Sequence, residues 1–151
     1  MYPAELVNPM KNQLTSNGFQ ELLTPEQVDN TIPKEGTTLL VINSVCGCSA
    51  GTARPGVIDS LQGEGKKPAK TVTTFAGFDL DAVKQARTYL LPYPPSSPAI
   101  ALFKDGQLKD IAEASDLSNI ESLSRRVEKY AITYPKEVGF IPTDQRIIIN
   151  I

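Results

Sequence analysis

The hydrophobic pattern is most regular in the first two thirds of the chain. Residues 37–43, Thr-Thr-Leu-Leu-Val-Ile-Asn, are apolar and β-branched without interruption in their middle, which predicts a strand buried on both faces. Residues 70–75 read as a second core strand. Residues 79–90 place Leu80, Val83, Ala86 and Leu90 on one stripe of an amphipathic helix. Between the two strands lies a turn of small residues, 44–52, and a helix over 48–61 that Pro55 should kink and Gly63 and Gly65 should stop. This alternation implies a right-handed βαβ unit. Upstream, Met10, Leu14 and a closing Gly18 predict a helix over 8–17, with Asn8 as its cap and Pro9 as its first residue. A short strand over 19–23 follows. Thr24-Pro25-Glu26-Gln27 then opens a helix to about residue 32, ended by Pro33 and Gly36. Downstream, the apolar runs 99–104 and 107–111 flank Asp105-Gly106, a strong hairpin signal. Ile120, Leu123 and Val127 mark the inner face of a helix over 117–130. Past Pro135 the pattern predicts loop and a final strand over 146–151. No repeat or low-complexity linker interrupts this order.

Composition narrows the classes. A chain of 151 residues predicts one domain, residues 1–151, with a C-terminal extension from about residue 135. Fifteen basic and seventeen acidic residues, net −2 and without a single-sign block, argue against nucleic acid or an anionic membrane as partner. Met1-Tyr2-Pro3-Ala4-Glu5 has neither a basic nor an apolar leader region, and no apolar run approaches the length of a membrane span. The expectation is a cytoplasmic protein, neither exported nor membrane-bound. There is no histidine, which excludes Ser-His-Asp and Cys-His hydrolases and the commonest metal ligand sets. Two cysteines are too few for the disulfide framework of a small secreted domain. The dispersed carboxylates form no glycosidase-like pair, and Lys66-Lys67 reads as a solvated loop pair.

The chemistry must come from thiols, carboxylates, amines or hydroxyls, and the sharpest feature is a pair of thiols. Val45-Cys46-Gly47-Cys48-Ser49-Ala50-Gly51 sits where the buried strand ends and a helix begins. A thiol there faces unpaired N–H groups and the positive end of the helix dipole, both of which favour the attacking thiolate. Cys46 can thus be activated without imidazole. Two cysteines one residue apart close a disulfide only in a tight ring, which should make it easy to reduce. Gly47 is expected to relieve the ring by adopting torsions closed to other residues. Ser49, Ala50 and Gly51 are expected to leave room for a partner sulfur. The rival readings are a pair of small buried hydrophobes and a metal site, for which two thiolates supply only half of zinc's usual four ligands. Arg54 either pairs with a substrate carboxylate, helps hold the thiolate, or is solvated.

The stretch Ser97-Pro98-Ala99-Ile100-Ala101-Leu102-Phe103-Lys104-Asp105-Gly106 resembles the thioredoxin superfamily, in which a cis-proline precedes the strand beside the redox turn and a hairpin follows. The resemblance implies a thioredoxin-like three-layer α/β sandwich, a central mixed β-sheet flanked by helices, with Pro98 cis and facing Cys46. Met1-Tyr2-Pro3-Ala4-Glu5-Leu6-Val7, Pro9-Met10 and above all Asn43-Ser44-Val45-Cys46-Gly47-Cys48-Ser49-Ala50-Gly51-Thr52-Ala53-Arg54-Pro55 are similar to the bacilliredoxin family. That similarity implies an oxidoreductase with no bound cofactor and with bacillithiol as co-substrate. Its partners would be cytoplasmic proteins with oxidised or bacillithiolated cysteines. Cys46 would attack, take over the cap and be regenerated by free bacillithiol, and Cys48 would be the second thiol, able to resolve or to form the internal disulfide. Gly47, Arg54, Ser97 and Pro98 complete the expected site as substrate-binding residues. Departures from common thioredoxins are the absence of Trp before the motif, one residue fewer between the cysteines, and no acidic residue in 37–45 to relay protons. A general disulfide isomerase or reductase and a metal-binding module on the Cys46/Cys48 pair remain the alternatives.

Overall fold

A computed structural model describes residues 1–62 and 67–113. In chain order its elements are α1 (Ala4–Thr15), β1 (Gln20–Glu21), α2 (Pro25–Asp29), β2 (Thr37–Asn43), a π-helical turn (Ser49–Ala53) continuous with α3 (Arg54–Gln62), β3 (Lys70–Phe75), α4 (Leu80–Thr88), β4 (Ala99–Lys104) and β5 (Gln107–Glu113). The sheet order is β1-β3-β2-β4-β5. The pairs β1–β3 and β2–β3 are parallel, and β2–β4 and β4–β5 antiparallel.

The unbroken apolar run of β2 is explained by its central place. Leu40 and Ile42 join Val28, Ile32, Ala82, Val83 and Ala86 on the face covered by α2 and α4. Leu39 and Val41 point the other way, to Leu14, Ala53 and Val57 of α1, the π turn and α3. Side chains alternate across a strand, so a strand covered on both sides must be apolar at every position. Each such buried aliphatic side chain contributes roughly 2 kcal/mol. The result is the three-layer sandwich with a mixed central sheet.

The strands predicted at 37–43 and 70–75 form with those bounds, and the predicted hairpin is present, its second strand running on to Glu113. The turn places Asp105 at φ 51° and Gly106 at φ 80°, the left-handed pair that Asp-Gly supplies most readily. Asp105 N donates to Gly36 O (2.9 Å), and Gly36 N donates to Asp105 Oδ1 (2.7 Å). The tip also lies against the Pro33 backbone.

Other elements depart from expectation. The first helix starts at Ala4, not residue 8, and carries Pro9 in its interior. Asn8-Pro9 has the composition of a helix start, but Val7, Lys11 and Leu14 supply a buried stripe that extends the helix upstream. The predicted strand 19–23 reduces to Gln20–Glu21, an edge strand bonded to β3 on one side only, although Leu22 N still reaches Thr73 O (2.8 Å). The second helix closes at Asp29, tightened by Thr31 N and Ile32 N both donating to Val28 O. Leu80 is exposed, because it is the first residue of α4 and its side chain tilts off the end of the packed stripe. At Pro55 the helix is widened: the π turn directly precedes it, with Arg54 N bonded to Ser49 O, next to the position where proline has no N–H to give. The expected stop at Gly63 and Gly65, the helix over 117–130, the tail and the strand over 146–151 lie outside the described residues.

Candidate active site

The chain leaves the sheet after Asn43, and the next six residues build the loop that carries both cysteines. Cys46 O accepts bonds from Ser49 N (3.0 Å) and Ala50 N (3.3 Å), which makes Cys46 the cap residue of the helical segment that follows. Its Sγ accepts from Cys48 N at 3.3 Å, the bond an N-cap side chain makes to the second N–H of its helix. Cys46 Sγ is bonded to Cys48 Sγ, and the two Cα atoms are 5.3 Å apart. Cys46 is exposed and Cys48 half-buried. Cys46 is thus an exposed residue at a helix start whose sulfur receives an N–H, surroundings that favour a thiolate once the disulfide is reduced.

Two expectations about the small residues need correction. Gly47 does not occupy the left-handed region, so torsional licence is not its contribution. A Cβ there would meet nothing within 4 Å, so glycine keeps open space beside the sulfurs. Ser49 does not line the approach either. It is fully buried, with its hydroxyl donating to Asn43 Oδ1 (2.9 Å). Ala50 and Gly51 are exposed.

Beneath the loop is a buried polar knot. Asn43 Oδ1 accepts from Ser44 N (2.9 Å), Ser49 Oγ (2.9 Å) and Arg54 Nη1 (3.1 Å), while its Nδ2 donates to Met10 O (3.3 Å). Arg54 Nη1 also reaches Ser44 O (3.0 Å) and Ser49 Oγ (3.1 Å), and its Nε donates to Gln13 Oε1 (2.6 Å). Ser44 Oγ in turn accepts from Cys46 N (3.3 Å). The expected first-turn arginine, solvated or aimed at a substrate carboxylate, is instead 2% exposed and spent on internal acceptors. Burial holds its pKa below the usual arginine value. Every acceptor on it is neutral.

On the adjoining strand, the Ser97–Pro98 peptide is cis. In the β2–β4 ladder Ile42 pairs with Ala99, so Asn43 and Pro98 leave the sheet side by side at the cysteine end. Pro98 is buried and Ser97 half-buried. Arg87 Nη2 of α4 donates to Ser97 Oγ (3.1 Å), and Ser96 Oγ donates to Pro98 O (3.2 Å). Gln13 and Arg87, and the structural roles of Asn43, Ser44 and Ser49 in this knot, are not read from the sequence. The one available signal was a polar Asn closing an otherwise apolar buried strand. Among the described residues, no three of His, Cys, Asp and Glu gather as a metal cluster would require.

Residues 2–131 match a family model described as disulphide isomerase. Among solved structures, the oxidised thioredoxin of Plasmodium falciparum superposes with a TM-score of 0.55 at 15% identity, covering 76% of this chain and 99% of that one. Oxidised mitochondrial thioredoxin 3 of Saccharomyces cerevisiae gives 0.53 at 17%, over 78% and 98%. The fold is therefore the thioredoxin fold. A bacilliredoxin of Cytophaga hutchinsonii is 60% identical over 113 residues, 75% of this chain and 83% of that protein. One from Halalkalibacterium halodurans is 47% identical over 129 residues, 83% and 89%. Identity at that level, spread along most of both chains and joined to a matching family model, means that this chain belongs to the bacilliredoxin family.

Proposed function

We propose that this protein is a cytoplasmic thiol-disulfide oxidoreductase that removes bacillithiol from mixed disulfides on proteins, with Cys46 as the attacking thiolate. The observation that carries the reading is the exposed Cys46 sulfur at a helix start, receiving the Cys48 N–H. Family membership supplies the bacillithiol part.

In the first step the Cys46 thiolate attacks the bacillithiol sulfur of the mixed disulfide. The old S–S bond breaks, the client cysteine leaves as thiolate and takes a proton from water, and Cys46 carries the cap. In the second, either a free bacillithiol thiolate attacks the capped sulfur and releases bacillithiol disulfide, or Cys48 attacks Cys46 and releases bacillithiol. The second branch yields the Cys46–Cys48 disulfide, which a thiol reductant must then open. Gly47, with Ala50 and Gly51, leaves the approach clear. Ser97 and Pro98 border the space in which the substrate sulfur docks.

The test uses a bacillithiolated client and mass spectrometry. Cys46→Ser should abolish release of the client thiol, and Cys48→Ser should accumulate a bacillithiol adduct on Cys46. Equal activity in the two variants, or an adduct on Cys48, rejects the assignment. The family description favours isomerisation as a second reading. It predicts that the protein reshuffles scrambled disulfides in a client without any bacillithiol present.

A further inference from the structure

Arg54 is a fixed charge whose counter-ion is missing from the described structure. It is 2% exposed, and none of the described ion pairs includes it. Its acceptors are an amide oxygen from Asn43, another from Gln13, the Ser44 carbonyl and the Ser49 hydroxyl. These engage its Nε and Nη1 but do not neutralise it, and a buried cation without an anion is a costly thing to keep. Two of the four, Ser44 and Ser49, are the residues that bracket the 45–48 loop, so the guanidinium underlies both ends of the segment carrying the thiols.

Other charges on the adjoining elements do not supply the anion. Lys11 on α1 is matched by Glu21 (2.8 Å) and Asp79 (2.9 Å). Glu5 on α1 and Asp59 on α3 are exposed, and Arg87, reaching Ser97 from the far side, is a second cation. The only other group in the loop that can become negative is a cysteine.

Building on the thiol-disulfide reading above, we propose that Arg54 is a positioning residue that also acts as the buried counter-charge of the Cys46 thiolate, its charge balanced only when the disulfide is opened. The anion forms by loss of the Cys46 proton to solvent, and the guanidinium holds it through the loop rather than by direct contact. A cation of this kind lowers a thiol pKa and adds to the helix-start effect.

The experiment titrates the single thiol of a reduced Cys48→Ser protein by its thiolate absorbance. Gln13 is exposed and its Oε1 sits on Arg54 Nε, so Gln13→Glu neutralises the guanidinium while keeping that bond. It should raise the Cys46 pKa by about one unit, whereas Asn12→Asp, an acid at the neighbouring exposed position, should leave it in place. Arg54→Gln should raise the pKa at least as far, and Arg54→Lys, which keeps the charge and loses the fork, should stay near the parent. An unmoved pKa in Gln13→Glu, or an equal rise in Arg54→Lys and Arg54→Gln, overturns the proposal. If Arg54→Gln does not fold, Gln13→Glu still decides. Exchange with a bacillithiolated client is measured in parallel on unmodified protein. Exchange with an unmoved pKa removes only the role of Arg54, and a shifted pKa without exchange removes only the assigned function.

Discussion

Asn43 holds a larger share of the site than either serine beside it. Its one carbonyl oxygen takes three bonds, from the backbone of Ser44, the hydroxyl of Ser49 and the guanidinium of Arg54. Its amide nitrogen ties the same point to Met10 of α1. Truncation to alanine leaves the buried Ser49 hydroxyl and the Ser44 N–H without their acceptor and takes one acceptor from the buried Arg54, and a stranded buried polar group costs about 1–3 kcal/mol. Asn43→Ala should therefore lose about 3 kcal/mol in urea unfolding of the oxidised protein. A loss within experimental error of zero would show that water replaces the carbonyl without cost. Beyond the polar Asn that closes an apolar strand, none of this is visible in the sequence. Arg54 and Gln13 are 41 positions apart, and nothing local in either residue announces the bond.

At the scale of single elements, the legible parts were those whose pattern is set by their own neighbours. β2 could be read because burial on both faces demands continuous apolar residues, and the hairpin because its turn demands left-handed residues. α1 was misplaced because Pro9 mimics a helix start. A proline within a helix removes one N–H and crowds the preceding turn, which costs about 3 kcal/mol against alanine in a helix interior. Part of that is returned by the stiffer unfolded chain, about 0.4–1 kcal/mol. Pro9 is exposed, so nothing in the core requires its ring. Pro9→Ala should stabilise the protein by about 2 kcal/mol, visible as a higher melting temperature. A lower melting temperature would mean that the ring makes a contact of its own. The π turn ahead of Pro55 escaped the sequence reading for a related reason. Proline marks a break, but whether the break becomes a kink or a widened turn depends on what Arg54 must reach below.

Across the whole molecule, α2 and α4 are tied at the surface by Asp29, whose Oδ1 accepts from Tyr89 Oη (2.6 Å) and Gln85 Nε2 (2.7 Å). The hydrogen bond from Tyr89, then that from Gln85, lowers the Asp29 pKa below 3.8. Desolvation, followed by Asp29 itself, raises Tyr89 from 10.0 to about 12. The signs give the tie two edges. A depressed carboxylate contributes stability that is complete above 3.8 and is lost as pH falls through the lower folded value. A raised phenol contributes stability that is complete below 10.0 and is lost as pH climbs toward about 12. Tyr89→Phe should thus be less stable than the parent across the neutral range, with the gap shrinking at both extremes in denaturant titrations over pH. A gap that is constant with pH would rule out the tie as its source.

The reciprocal bonds between Gly36 and Asp105, with Gly106 lying on Pro33, act at the rim furthest from the cysteines. A strand that slid one pair along its neighbour would turn its inner side chains outward and shift Pro98 away from the end of β2. The clasp at the distant rim forbids that slide. It keeps two separately encoded halves of the cysteine end in step, so a fault introduced at Gly106 should be felt as misalignment at the sulfurs at the other end of the strands.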